Sequence, residues 1–395
     1  MDRVLSSQPP TSALAIAPLL DDMAAGAAAA DANRSLAPEL IEGIKANPIM
    51  SFTAAEEIGG LNATMEAVAL ELEASAAHCA STAWVLWNHL CTFHLFAGLL
   101  GPGNTQFLKA IVEAREWVCF PAGASTAIRG TRQADHLLLQ GKAAFGSGAR
   151  YAEWAGASFI VDEPTKPRFA LVRLDQPGVQ IDADWYSMSL RASATDTLHY
   201  KDAEVSAENV VDFPFKYRFS FRDPARSMIS ERYREDWVGL SDLWLAMMAV
   251  GVVQANLNDV CAGIADRVAI MGVKVAERPM VQVNLGQAQG SVNAARDTAL
   301  AACRAADERL VAGQIPDEAD YLGQLSAAST ALQLCADAMT LLLRVMGGNG
   351  LREGPDFERR LRDFQAMPLH INAHQDRVNE SVGRYLVGLG SENPF

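Results

Sequence analysis

Between Arg344 and Asp376 the chain reads RVMGGNGLREGPDFERRLRDFQAMPLHINAHQD, placing an Arg362-Asp363 pair, His370 and His374 just beyond a glycine turn. An imidazole titrates near neutrality, so either histidine could take up or hold a proton during a reaction. Placed four residues apart, the two would share one face of a helix. Gly347, Gly348 and Gly350 break the helical pattern that precedes them, and a Gly-Gly-Asn-Gly turn lets backbone N–H groups approach a ligand or a neighbouring chain closely. The plainer reading of the same stretch is a helix break followed by a surface helix. A second concentration of aromatics and histidines lies between Ala83 and Phe96: Trp84, Trp87, His89, Phe93, His94 and Phe96. Such clusters are more often core than ligand wall.

These groups need a scaffold, and 395 residues are enough for two or three structural units with a substantial core. Half of the residues are hydrophobic and a fifth charged, an ordinary globular balance. The net charge of −14 argues against a nucleic-acid-binding face, which would be basic. The most apolar stretch, Leu243 to Val253, is shorter than a membrane span, and no secretory signal is visible. The six cysteines lack Cys-x-x-Cys spacing, so no metal site is expected and reduced thiols in a cytoplasm are.

The texture of the chain changes twice. Residues 1–115 are rich in Ala, Leu and Glu at helical spacing, with breaks near Gly59-Gly60 and Gly101-Pro102-Gly103-Asn104. Residues 116–222 carry short β-branched and aromatic runs, at Leu137–Leu139, Ser158–Val161, Phe169–Val172 and Thr197–Tyr200, punctuated by Gly and Pro. Strands without intervening helices predict a mostly antiparallel barrel or sandwich. Residues 223–395 return to helical spacing, predicting helices over Leu240–Ile270, Gln282–Ala312, Leu322–Met346 and Arg359–Leu389 in an antiparallel bundle. The expected class is α+β: helices, then a β domain, then a four-helix bundle.

That order, together with four motifs, resembles the acyl-CoA dehydrogenase fold. Gly141 to Gly148, GKAAFGSG, resembles the family's G-x-K-x-[FW]-x-[ST]-G strand beside the flavin, with Ala143 where Lys is usual. Trp185 to Asp196, WYSMSLRASATD, resembles its W-x-x-x-G-x-R-[GA]-[ST]-x-[ST] segment, with Ser189 for Gly. Asp202 to Val210 resembles D-x-x-V-P-x-x-x-V, with Ser206 for Pro, and the glycine turn keeps the family's spacing to Arg362-Asp363. The departures are as telling. The glutamate that abstracts the substrate α-proton in dehydrogenases would fall at Ile371, and the alternative place on the first bundle helix at Ser241, beside Asp242. Neither Ile nor Ser can abstract a carbon-bound proton, so dehydrogenation is disfavoured.

The pattern R-D-x-x-A-x-x-x-H-x-x-x-x-x-D, from Arg362 through Ala366 and His370 to Asp376, is similar to the two-component flavin-dependent monooxygenases of the same fold. The resemblance implies reduced FMN or FAD delivered by a separate reductase and O2 that forms a flavin C4a-hydroperoxide. The oxygen would go to a phenol or other aromatic, or to nitrogen or sulfur. It implies that His370 works beside the substrate and that Ser147 lies near the flavin N5. Ser125 and Thr126 fall where the family's loop touches the flavin. Arg267, Gln282, Gly347 and Gly348 resemble positions that reach the cofactor of a neighbouring subunit in a homotetramer. Either His89 or His94 could line the same pocket, His89 being preferred, and His374 is expected to be structural. Arg191 is expected to brace the β domain. The chain has no strand-G-x-G-x-x-G-helix unit for a nicotinamide cofactor, so a reductase partner is implied. An acyl-CoA dehydrogenase with a relocated base and a non-catalytic member of the fold are the competing readings.

Overall fold

The computed structural model describes residues 11–121, 128–161, 166–213, 220–269 and 272–391. Five helices come first: α1 (Leu20–Asn33), α2 (Pro38–Ala46), α3 (Met65–His78), α4 (Ala80–Leu100) and α5 (Thr105–Glu113). Of these α4 is the unusual one, because all of its 21 residues are buried. A helix that is apolar all round has no solvent face and belongs at the centre of a packed body. It stops at Gly101, whose φ of +66° is open to glycine at little cost.

A single sheet follows, built from β1 (Val118–Cys119), β2 (Arg129–Arg132), β3 (His136–Gly146), β4 (Trp154–Val161), β5 (Lys166–Arg173), β6 (Val179–Asp182), β7 (Asp196–Ser206) and β8 (Val211–Asp212). The order is β6-β7-β3-β2-β4-β5-β8, antiparallel except that β1 and β2 each run parallel to β4. The long antiparallel β3–β7 pair, from His136 opposite Ser206 to Gly146 opposite Asp196, brings both ends of the expected flavin-side motifs together.

The remaining helices are α6 (Trp237–Ile264), α7 (Pro279–Val311), α8 (Glu318–Met346), α9 (Asp356–Ala366) and α10 (Gln375–Leu386). Their starts follow from local chemistry. Asp236 accepts the Val238 N–H at 2.9 Å, Pro279 occupies the first turn of α7, and Asp317 and Asp320 form a reciprocal capping box on α8. Helix α6 lies so close to α3 that a Cβ on Gly251 would sit 2.1 Å from the Glu73 carbonyl oxygen. Three helices (Ala80–Leu100, Trp237–Ile264 and Glu318–Leu351) are long and apolar enough to cross a membrane, contrary to the expectation from the sequence. The first two windows are 100% and 94% buried inside the protein, which accounts for their composition.

The expected helix from Arg359 to Leu389 is two helices. Helix α9 ends at Ala366, and Pro368, which has no amide hydrogen to continue the ladder, opens a turn that lasts until His374. His370 therefore sits in a turn and His374 at the N-cap of α10, so the two do not share a helix face.

The Arg362-Asp363 pair ties α9 to the segment before β7. The Leu190 N–H donates to Asp363 Oδ1 at 2.6 Å, and the Ser189 hydroxyl donates to the Asp363 carbonyl at 3.1 Å. Arg362 grips both oxygens of Asp31 at 3.1 and 3.0 Å and donates to the Met188 carbonyl at 2.8 Å. Arg191 adds a looser contact to Asp31 at 3.5 Å. One basic-acidic dipeptide thus joins α1, the sheet connection and the C-terminal helices.

Burial raises the Asp363 carboxyl from 3.8 to about 6 against the opposing Leu190 N–H. Between those values the folded protein retains a proton that the unfolded chain has released, so the stability from this group falls as pH rises through that window. Asp363→Asn keeps the acceptor for Leu190 without the charge. Its thermal midpoint is expected to gain on that of the wild type as pH goes from about 4 to about 6; a difference that stays flat across the window contradicts this.

Candidate active site

Ser147 stands where β3 turns. Phe145 and Gly148 take left-handed φ values of +63° and +79°. A Cβ on Gly146 would come within 2.8 Å of Leu198 Cδ1 and 3.1 Å of the Asp196 carbonyl, so any side chain there would have to push the buried Leu198 aside. The turn is closed by the Gly148 N–H donating to the Ser193 carbonyl at 2.9 Å. Ser147 is buried, and Trp84 of α4 donates its indole Nε1–H to Ser147 Oγ at 3.0 Å. On its other side Oγ lies 3.1 Å from Thr195 Oγ1, which is 2.6 Å from Ser193 Oγ. Three hydroxyls thus form a chain ending at Ser147, each able to donate or accept.

His370 reaches the same indole from the C-terminal turn. Its ring meets Trp87 edge-on, with centroids 5.2 Å apart at 88°, and Trp84 at 6.0 Å and 72°. Its Nδ1 is buried without a hydrogen-bond partner among the described residues. Burial lowers its pKa from 6.5 to about 4, so the ring is neutral at pH 7. Buried polar atoms are normally bonded, so an unpaired one calls for an explanation, of which a catalytic or binding role is one. Asp376 does not satisfy His370: its near neighbour is half-buried His374, whose Nδ1 lies 4.0 Å from it.

The place of a base on the first bundle helix is closed off. Trp87 donates its indole N–H to the Ser241 carbonyl at 2.8 Å, and the Ser241 hydroxyl turns back to the Val238 carbonyl at 2.9 Å. The Trp87 indole thus contacts both the backbone at Ser241 and the His370 ring. Asp242 is fully buried next to it, and its charge helps to push the Cys91 thiol up, after burial itself. Ile371 is 64% exposed.

His89 does not join Ser147 and His370. Its Nδ1 accepts the Val118 N–H at 3.1 Å and its Nε2 donates to the Met50 carbonyl at 3.0 Å. Both nitrogens are in use, and burial lowers its pKa to about 4, so it pins α4 to β1 as a neutral imidazole with no nitrogen left for a ligand. His94 is likewise anchored, through Nε2 to the Glu235 carbonyl at 3.0 Å. The histidine spacing could not separate these roles, because which backbone groups need a partner depends on elements far away in sequence.

The other expected cofactor residues divide in two. Ser125 and Thr126 lie outside the described residues. Arg267 is half-buried, and Gln282, Gly347 and Gly348 are exposed; all four stand where α6 ends, α7 begins and α8 ends. From Ser241 to Ile264 the rise of α6 amounts to about 35 Å, so these residues do not share a pocket with Ser147 within one chain.

The group suits a flavin. Phe145, 59% exposed, presents a ring two residues before Ser147, steadied by an edge contact to Trp185 at 6.2 Å. The buried hydroxyl chain and the unpaired imidazole supply the donors and acceptors that such a ring and its reaction partner need.

Residues 243–375 match the family Acyl-CoA dehydrogenase, C-terminal domain. A pigment production hydroxylase of a Rhodococcus species is 23% identical over 371 residues, spanning 92% of each chain. Among solved structures, XiaF from a Streptomyces species in complex with FADH2 and glycerol is similar with a TM-score of 0.85 at 18% identity, over 96% of this chain and 95% of that one. TdsC from a Paenibacillus species, in complex with FMN and indole, gives a TM-score of 0.83 at 16% identity, over 96% and 97%.

Removing His89 tests its assignment. His89→Phe strands the Val118 N–H and the Met50 carbonyl, and is expected to cost about 2–4 kcal/mol in chemical denaturation while leaving flavin affinity unchanged once folded. Loss of flavin affinity without loss of stability contradicts the assignment.

Proposed function

We propose, from the premise that this chain carries the acyl-CoA dehydrogenase fold, that it is the oxygenase component of a two-component flavin-dependent monooxygenase acting on an aromatic substrate. The observation that carries the reading is the unpaired, neutral imidazole of His370, enclosed by two tryptophans and one indole away from the Ser147 hydroxyl. At the two positions where the resemblance would put a carboxylate that strips a carbon-bound proton, the chain has Ile371 and Ser241.

Reduced FMN or FAD, when bound, would supply the two electrons with which O2 is split: one oxygen atom enters a substrate C–H bond to give C–OH, and the other leaves as water. The chain's own residues set the conditions for this. Ser147 Oγ, fixed from one side by Trp84, can accept from the reduced flavin N5–H or donate to N5 once oxidised. His370, neutral at working pH because burial holds it near 4, can accept a phenolic or amine proton from the substrate as oxygen is transferred, or hydrogen-bond the oxygen being delivered. Trp84, Trp87 and the buried α4 behind them keep water from the reacting atoms.

The relatives support the reading, one being named a hydroxylase and two solved neighbours holding FADH2 or FMN. A separate reductase is what the resemblance implies, and the lack of a strand-G-x-G-x-x-G-helix unit in the sequence supports it. The homotetramer is what the resemblance implies; the exposed glycine turn with Gln282, and large apolar side chains left open on the bundle, such as Met280, Val283, Leu386 and Leu389 at 57–77% exposure, support an association of subunits. Free cysteines, five of the six buried, fit a cytoplasmic home.

Rapid mixing of the reduced-flavin complex with oxygen tests the function. A transient absorbance unlike oxidised or reduced flavin, followed by coupled turnover of phenols or indoles, is expected; direct reoxidation without a transient contradicts it. His370→Ala is expected to lower the substrate-oxidation rate by about 10²-fold or more. Ser147→Ala is expected to raise hydrogen peroxide release about tenfold, the loss of one hydrogen bond of ~1.4 kcal/mol. Unchanged coupling in both variants would remove these two residues from the reaction.

A further inference from the structure

Helix α4 carries a carboxamide, that of Asn88, which neither the fold nor the chemistry above employs. Asn88 is 8% exposed. Its carboxamide oxygen is buried without a partner, and its amide nitrogen makes no hydrogen bond among the described residues. The backbone carbonyl of Asn88 is occupied, receiving the Thr92 hydroxyl at 2.7 Å, so only the side chain is unspent. An unsatisfied buried amide costs about 1–3 kcal/mol, and a leucine of similar size would avoid that cost in so apolar a helix. His94, also on α4 with an unpaired nitrogen, at least uses its other nitrogen. Neither end of the Asn88 carboxamide is used.

Its place on the helix says where the group faces. Side chains three and four apart lie side by side on a helix. Asn88 is four residues after Trp84, whose indole bonds Ser147 and packs on His370. It is three after Val85, whose Cβ lies 3.5 Å from where a Cβ on Gly148 would be. Trp84 and Val85 are thus the α4 residues laid against the Ser147-Gly148 turn, and Asn88 stands one turn further along the same surface. On that surface the walls are aromatic, His370 offers a nitrogen unpaired among the described residues, and the hydroxyl of Thr92, one turn beyond Asn88, is turned onto its own helix.

We propose that Asn88 selects and orients the substrate, its carboxamide hydrogen-bonding an N–H or O–H carried by an aromatic ring that lies against the Trp84–His370 wall. This rests on the monooxygenase reading and narrows its substrate class to phenols and N–H heteroaromatics, as against hydrocarbons and fully substituted rings. The discrimination arises because a ring without the donor leaves the buried amide still unpaired. A site built to bond a substrate group rejects the analogue lacking it more strongly than an apolar pocket rejects a change in size.

The test is calorimetric binding of indole and 1-methylindole, which differ at the ring nitrogen, to the FMN-loaded protein. The wild type is expected to bind indole about tenfold more tightly, the value of one such hydrogen bond. In Asn88→Ala that ratio is expected to fall to within about twofold, mainly through weaker indole binding. Asn88→Leu, which fills the same volume, is expected to match Asn88→Ala and to melt no lower than the wild type, since it removes an unpaired group. Equal binding of the two probes by the wild type, binding of neither, or a tenfold ratio that survives both substitutions overturns the proposal. Oxygen mixing reads the function separately. A transient with surviving discrimination in Asn88→Ala sinks the role of Asn88 alone. Lost discrimination without a transient leaves Asn88 as a ligand selector and sinks the monooxygenase reading.

Discussion

The hydrogen bond from the Trp84 indole to Ser147 Oγ, at 3.0 Å, is where three parts of the molecule meet. Trp84 comes from the N-terminal helices and Ser147 from the end of a strand. His370, which packs on the same indole, comes from a turn near the C-terminus. Because α4 is buried on every side, its indoles cannot swing without disturbing several layers at once, and interiors packed to crystalline density resist that. The geometry of the candidate site is therefore inherited from core packing. Preorganisation of this kind holds polar groups in place before any substrate arrives.

The same packing decides which reaction the scaffold can run. A base that removes a carbon-bound proton needs a carboxylate with room to reach the substrate. At one of the two places where such a group could stand the chain has Ile371, on the surface, and at the other Ser241, whose hydroxyl is turned onto its own helix. The Trp87 indole, bonded to the Ser241 carbonyl, occupies the ground between that helix and the imidazole. Burial that holds His370 near 4 makes it an acceptor at neutral pH, suited to steering a proton from oxygen or nitrogen and too weak a base for carbon.

Much of this was legible in the chain itself, for reasons that differ by element. The strand ending in Gly146-Ser147-Gly148 is readable because its turn tolerates so few residues, as the 2.8 Å approach at Gly146 shows. The end of α8 at Met346 is readable because glycine stops a helix. The pairing of Arg362-Asp363 with Asp31 and Leu190 has no local signature, since the partners lie 331 and 173 residues away in the chain. The division of the last helix at Pro368 was open to reading from that one residue, and helical spacing on either side masked it. The roles of His89 and His94 were not open, because both are fixed by backbone groups of other elements. Asn88 carries no motif at all. Its meaning lies in the absence of a partner, which only the folded chain can show.

The claim on which the account depends is that an imidazole, and not a carboxylate, faces the reacting centre, so that this protein passes activated oxygen to its substrate and takes no hydride from it. The most direct measurement is anaerobic mixing of the protein carrying oxidised flavin with a panel of acyl-CoA thioesters, followed at the flavin absorbance. The account predicts that the oxidised spectrum persists through every addition, although a separate reductase and NAD(P)H still bleach it. Bleaching by any thioester, with the enoyl product formed, would show that a base for carbon acids is in place and would contradict the account.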